Sequence, residues 1–182
     1  MNQVVQSILD RRSVRCYRPD PVPEEDLVTL AALGQLAPTA MDYQAWHFSI
    51  VTNQALLGEI KENCRRVLTG SPVEAIREMA QDPDFDPFWG APCVIFISGG
   101  GSEWAVTDCA NAATTMVLAA QAMGLNTCYL SGFLDGFRDR ELQKKVGVPE
   151  GYEPFYALAL GYGNEEPYPR SPRKAGAVNY VK

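Results

Sequence analysis

The stretch from Trp104 to Met123 constrains this chain most. Read at 3.6 residues per turn it is apolar almost all round, through Ala112, Ala113, Met116, Val117, Leu118, Ala119, Ala120 and Met123. A helix without a polar face is unstable at a surface, so it must lie at the centre of the fold or against a partner subunit. The longest unbroken apolar run of the chain, near Cys93 to Ile97, is about six residues, far short of the ~18 that cross a bilayer.

Around that helix, strand-like runs occur at Trp46–Thr52, Cys93–Ser98, Asn126–Leu130 and Phe155–Leu160. Helical patterns occupy Gln54–Leu68, Glu74–Ala80 and Asp139–Val146. Val4, Val5, Ile8 and Leu9 add a short amphipathic helix, which gives way to an extended, arginine-rich stretch at Ser13–Tyr17. Pro23 followed by Glu24, Glu25 and Asp26 starts another helix, expected to stop near Pro38. Helices and strands intermix, which predicts an α+β or α/β sheet covered by helices. From Gly163 to Lys182 the chain has no period of its own until Val178–Val181 and reads as an extended tail that needs a partner surface.

At 182 residues, 46% hydrophobic and 21% charged, the chain reads as one globular domain over 1–182, with 163–182 as the tail. Its 16 Lys and Arg against 22 Asp and Glu give a net charge of -6, which disfavours nucleic-acid binding. Met1 to Ser13 lacks the apolar region of a signal peptide, so the expectation is a cytoplasmic protein that binds no membrane. Five widely spaced cysteines without a C-x-x-C pair predict reduced, mostly buried thiols and no metal site. His47, the one histidine, sits in an alternating strand, where packing or an interface role outweighs catalysis.

Four segments could carry chemistry. Gly99-Gly100-Gly101-Ser102 follows a strand and opens a helix, but the third glycine of G-x-G-x-x-G falls at Trp104, so a plain turn is the better reading. Arg11-Arg12-Ser13-x-Arg15 places three guanidinium groups and a hydroxyl where a helix becomes extended chain. Such forks match phosphate oxygens, while a solvated basic helix end is the bland alternative. Ala37 to Phe48 is a loop of hydroxyl, amide and aromatic groups feeding a strand. Gly124 to Phe133 contains a short strand ending in Ser131-Gly132, where free backbone N–H groups can face a ligand.

Together these segments, with Gly90-Ala91-Pro92 before a strand and basic residues near Arg173, resemble the nitroreductase family of FMN-dependent oxidoreductases in order and spacing. The resemblance spans essentially the whole chain. It implies an α+β fold with a mixed, mainly antiparallel central sheet, a homodimer with two FMN sites at the interface, and a tail exchanged between subunits, with Val178–Val181 adding an edge strand. It further implies that Arg11 and Arg12, with Arg173 or Lys174, hold the FMN phosphate. Ser13 would bond near the ribityl chain, and Arg15 would lie at the N1/O2 edge, where a cation favours the reduced flavin. Pro38, Thr39, Ala40 and Asp42 would reach the cofactor from the other subunit. Tyr129, Leu130, Ser131 and Gly132 would run along the ring, with a backbone N–H at N5.

No side-chain acid or base is required, because the flavin carries the chemistry. The implied activity is ping-pong hydride transfer from NAD(P)H through FMN to a nitroaromatic, quinone or similar conjugated acceptor. The alternative is a flavin-binding protein of the same fold that serves reductive dehalogenation, flavin breakdown or flavin storage. Three positions depart from the family pattern: Asp42 replaces the usual Asn, Ala45 the usual Pro, and Ser131 the usual acid. A carboxylate at Asp42 needs a partner, for which Arg15 is the candidate. The short segment from Thr69 to Phe88 predicts an open substrate pocket with Tyr43, Phe85, Phe88 and Trp89 as stacking walls.

Overall fold

The structure, a computed structural model, describes residues 2–131, 134–165 and 168–181. Its scaffold is a four-stranded sheet of β1 (Trp46–Val51), β2 (Cys93–Gly99), β3 (Asn126–Leu130) and β4 (Glu153–Gly161) in the order β1-β2-β4-β3. Every ladder is antiparallel, with Phe48 opposite Ile97, Ile95 opposite Leu158 and Cys128 opposite Ala159. The only parallel pairing among the described residues is an isolated bridge between Ser13 and Thr127, on the outer edge of β3. The fold is therefore the expected α+β class.

Period-two alternation divides the apolar side chains between two layers. Cys93, Ile95 and Ile97 of β2, with Leu158 and Leu160 of β4, face α2 (Glu24–Gly34) and α5 (Ala105–Ala122). Val94 and Phe96, with Ala157 and Ala159, face α3 (Gln54–Leu68) and α4 (Glu74–Gln81). Because β2 has a helical layer on both sides, all seven of its residues are buried. The apolar helix singled out in the sequence is α5: Ala112, Ala113, Met116 and Ala120 have no exposed surface, so it is central as required.

Capping fixes the ends. Asn2 Oδ1 accepts from Val4 N–H at the start of α1 (Gln3–Asp10), and Asp139 Oδ1 accepts from Glu141 N–H at the start of α6 (Arg140–Val146). Helix α2 stops at Gly34, short of Pro38, where a Cβ would stand 2.5 Å from Met116 Cε, so its last turn lies directly on α5. Two short 3-10 turns, Ala40–Asp42 and Leu134–Phe137, lack a period long enough to be seen in the sequence. No helix among the described residues is long and apolar enough to cross a membrane.

Helix α1 is held differently. Only Ser7 of it is buried, while Val4, Val5, Ile8 and Leu9 remain 45 to 63% exposed. Residues 168–181 form no helix or strand, and Val178, Tyr180 and Val181 are 68, 88 and 97% exposed. The edge strand expected at Val178–Val181 is not formed within one chain.

Candidate functional site

The site begins where α1 ends. Arg11 leaves the helix with φ -49° and ψ 131°, sending the next residues into extended chain. That chain is pinned on both sides. Val14 N–H donates to the Thr127 carbonyl (3.0 Å), Arg18 N–H to Tyr162 O (2.9 Å), and Asn164 N–H to Cys16 O (3.0 Å). The Tyr17 hydroxyl, buried beneath, donates within reach of Val14 O (3.0 Å) and Ala159 O (3.2 Å), and burial raises its pKa well above the usual value. Val14 and Tyr17 are buried and Arg15 is exposed beside β3.

Two guanidinium groups converge on the carbonyls that every helix leaves unbonded at its C-terminus. Arg12 Nη1 donates to Leu9, Asp10 and Arg11 carbonyls at 2.8, 3.1 and 2.9 Å. From the tail, Arg170 Nη2 reaches the carbonyls of Ile8, Leu9 and Arg11 at 3.3, 3.0 and 2.9 Å. Desolvation, then the like charges of Arg12, Arg11 and Arg173, lower the Arg170 pKa. Among the described residues no carboxylate pairs with Arg11, Arg12, Arg15, Arg170 or Arg173, although seven ion pairs form elsewhere. The tail cation bonded to the helix end is thus Arg170, a residue outside the expected phosphate pair of Arg173 and Lys174, both of which are exposed.

Beside Arg15 lies a pocket of about 380 Å³ whose lining includes Cys16, Met79, Asp84, Phe85 and Trp89. The Arg15 guanidinium stands 5.8 Å from the Trp89 ring centroid, and the buried Trp89 Nε1 has no hydrogen-bond partner among the described residues. The four expected stacking walls therefore separate. Trp89 lines the pocket; Phe85 lines it too but is 6% exposed, its ring under the Arg65 guanidinium. Phe88 is a correction: it is 5% exposed and packs edge-on to Phe96 at 5.9 Å, because the sheet face above α3 requires a large apolar side chain there. Tyr43 is exposed on another loop and does not line this pocket.

That second loop, Pro38 to Gln44, is built with unusual backbone. Met41, Asp42 and Gln44 have φ of 49°, 56° and 48°, a region that side chains other than glycine rarely adopt. Helix α5 holds it: buried Asp108 accepts from Thr39 Oγ1 (2.8 Å) and Ala40 N–H (3.0 Å), and Asn111 Nδ2 donates to Pro38 O (3.0 Å). Thr39 Oγ1 in turn accepts from Gln44 N–H at 3.0 Å. The Asp42 carboxylate accepts from Gln44 Nε2 at 2.9 Å, so its partner within the chain is an amide, whereas the expected partner, Arg15, lies over Trp89.

Strand β3 supplies the third wall. Leu130 is buried in one apolar layer, and Tyr129 packs in the other against Tyr156 at 5.1 Å. Both side chains are committed to packing, which leaves backbone as what this strand can present. Ser131 is exposed, and Gly132 lies outside the described residues. At Gly99-Gly100-Gly101-Ser102, Ser102 Oγ accepts from Trp104 N–H and Gly101 takes φ 73°, the plain strand-to-helix turn expected.

Asp108 and Asn111 are the residues that sequence reasoning passed over, whereas Arg170 stands with Arg173 and Lys174 as the three tail cations between which the sequence leaves the phosphate contact open. The available signal for Asp108 was that it is the one charged residue in the long helix Ala105–Ala122.

The fold has solved counterparts. A nitroreductase with bound FMN from Bacteroides fragilis superposes with a TM-score of 0.92 at 30% identity, covering 100% of both chains. A second, from Desulfitobacterium hafniense and also with bound FMN, gives 0.90 at 28% identity with the same coverage. The iodotyrosine deiodinase of Thermotoga neapolitana is 26% identical over 178 residues, 93% of each chain. The family pattern described as Nitroreductase matches residues 8–162, from the last turns of α1 to the end of β4, and the chain belongs to the nitroreductase family.

Proposed function

We propose that this protein is a homodimeric, FMN-dependent NAD(P)H oxidoreductase acting on a nitroaromatic, quinone or similar conjugated acceptor, with donor and acceptor using one site in turn. The observation that carries this reading is the set of arginines at the α1 terminus, which have no carboxylate partner among the described residues, in a chain of net charge -6. Grouped cations without counter-ions at a helix end suit a phosphate monoester, which presents oxygens matching guanidinium forks.

The residues present fit FMN. Arg11 and Arg12, with Arg173 or Lys174 from a tail that Arg170 brings to the helix end, would hold the phosphate. Ser13 would meet the ribityl chain and Arg15 the pyrimidine edge of the ring, with backbone from Tyr129 to Gly132 along its length. Pro38, Thr39, Ala40 and Asp42 would come from the partner subunit. When bound, FMN supplies two-electron transfer between the nicotinamide and the acceptor. The chain's own task is to bind and orient it, to hold positive charge at its edge through Arg15, and to place Trp89 and the partner's Tyr43 beside the acceptor.

Dimerisation follows from the exposed apolar surface. Val4, Val5, Ile8 and Leu9 on α1, and Val178, Tyr180 and Val181 on the tail, need a covering surface that one chain does not provide. A groove of about 760 Å³ along the free edge of β1, lined by Pro21, Val22, Leu27, Val28 and Ile50, is where a partner's tail would add a strand.

An absorption spectrum of the purified protein, and of the supernatant released by heat, tests this first. The expected result is a yellow chromophore, released as FMN and bleached anaerobically by NADH or NADPH. A colourless protein that neither binds added FMN nor oxidises either nicotinamide would overturn the reading in favour of a dimeric interaction module.

A further inference from the structure

We infer that Asp108 is a positioning residue for the cofactor site: its buried carboxylate locks the Thr39–Gln44 loop into the shape that this loop presents across the dimer interface. The inference rests on the functional reading above and names a residue that never touches the cofactor.

Asp108 is 1% exposed and lies in the first turn of α5, a helix whose neighbouring buried positions are Ala105, Cys109, Ala112 and Ala113. A carboxylate buried among apolar groups persists only when its oxygens are hydrogen-bonded. Here no cation pairs with it among the described residues; its partners are the Thr39 hydroxyl and the Ala40 N–H, assisted by the positive end of the helix dipole. Both partners belong to the loop, so the loop is what makes this buried charge tolerable, and the charge in return determines where the loop can sit.

The network then propagates by donor logic. Because Thr39 Oγ1 donates its hydrogen bond to Asp108, its lone pairs remain for Gln44 N–H, which closes the loop on itself over five residues. Between those anchors Met41 and Asp42 stand at positive φ, a conformation that lasts only where the surroundings impose it. Met41 is 82% exposed and Tyr43 58%, so the clamped segment holds two large side chains out from the subunit. A loop strained, anchored from below and apolar at its tip is organised before anything binds to it, and organisation in advance is what lowers the entropic cost of binding.

An amide at position 108 has one acceptor oxygen where the carboxylate has two, so Asp108→Asn cannot keep both loop contacts in their present sense. Removing the Thr39 hydroxyl breaks the hub from the other side, while serine retains it. The variants Asp108→Asn, Thr39→Ala, Thr39→Ser and Asp108→Asn/Thr39→Ala are compared by fluorescence titration of the apo dimer with FMN and by hydrogen exchange at the Ala40 and Gln44 amides. The expected result is that Asp108→Asn and Thr39→Ala each weaken FMN binding by about tenfold and speed exchange at both amides. Thr39→Ser, which keeps the hydroxyl, exchanges more slowly than Thr39→Ala at both amides, and the double variant is no more than about twofold weaker in FMN binding than the worse single one, because both changes break one network.

FMN binding by Asp108→Asn equal to that of the parent overturns the inference, whatever the exchange rates. So does weaker binding with unchanged exchange at Ala40 and Gln44, since the effect would then bypass the loop. If Asp108→Asn does not fold, the contrast between Thr39→Ala and Thr39→Ser decides alone, equal exchange at the Ala40 and Gln44 amides in the two overturning the proposal. A parent protein that binds no FMN is distinguishable from all of these: it overturns the functional reading and removes this inference with it.

Discussion

On α3 and α6, Lys61, Arg65, Arg140, Lys144 and Lys145 each sit beside a carboxylate, of Asp86, Glu62, Glu153, Glu141 and Glu59 respectively. At the end of α1 the same residue types gather with no carboxylate partner among the described residues. Exposed ion pairs contribute little to stability, so the first group is a solvated surface whose charge is cancelled locally. The second group raises its own cost: desolvation first, and then the like charges of Arg12, Arg11 and Arg173, lower the pKa of Arg170. This cluster, two of whose members are engaged by helix carbonyls, is what the proposed phosphate site rests on.

The largest expected effect breaks that comparison directly. Arg11→Ala removes the cluster member with no helix carbonyl to hold. A charge-assisted hydrogen bond is worth about 1.5–3 kcal/mol, so FMN affinity should fall from about tenfold to over a hundredfold. Riboflavin, which has the ring but no phosphate, should bind parent and variant alike. Parallel titrations with the two ligands check this; equal losses for both would mean that Arg11 supports the ring or the fold and that the cluster is not a phosphate site.

Arg15 belongs to the same bare set but lies farther along the extended chain, over Trp89. Arg15→Gln should therefore lower the midpoint potential of bound flavin, because removing a positive charge beside the ring disfavours adding electrons. The FMN dissociation constant should change much less than in Arg11→Ala. Potentiometric titration separates the two roles, and an unshifted potential would place Arg15 away from the ring.

The division between these regions explains what was legible in the sequence. Elements with strong periodicity and clear ends could be read closely: Asn126–Leu130 and Gln54–Leu68 have the predicted bounds, since runs of apolar residues at period two or 3.6 leave few alternatives. The arginines of the α1 terminus were visible because they are adjacent. What alternation and spacing could not convey is which distant groups meet. Arg170 reaches α1 from 159 residues away, and Asp108 meets Thr39 from 69 residues away. Phe88 misled for the converse reason: an aromatic residue in a proline-rich loop looks like a pocket wall, but here the loop folds back and the ring packs on Phe96.

Cysteine reactivity sharpens the comparison at a smaller scale. Burial pushes Cys64, Cys93 and Cys109 up to about 12, so at neutral pH they stay protonated and poorly nucleophilic. Cys128 is raised in the same direction. Cys16 is half-buried, lies on the extended segment and lines the Arg15 pocket. An alkylating agent at neutral pH should therefore label Cys16 first, detected by peptide mass spectrometry, and saturating FMN should slow that labelling several-fold. Labelling that ignores FMN would separate this pocket from the cofactor site. The sign of any pH effect on the buried thiols is fixed: protonated in the fold and ionising near 9 when unfolded, they hold stability below pH 9 that is lost as pH rises toward 12.

The smallest expected effect is a null, and the comparison depends on it. Lys144 and Glu141 face each other at 2.8 Å, three residues apart on α6, with side chains 72 and 77% exposed. Water screens such a pair, and holding two long side chains together costs entropy that offsets most of the attraction. Lys144→Ala should leave the melting temperature, FMN affinity and flavin potential where they are in the parent. The variant removes one positive charge, as Arg11→Ala does, so the two differ only in where the charge sits. If Lys144→Ala weakened FMN binding comparably, the ligand would be responding to overall charge, and the bare cluster at α1 would lose its claim to be a site.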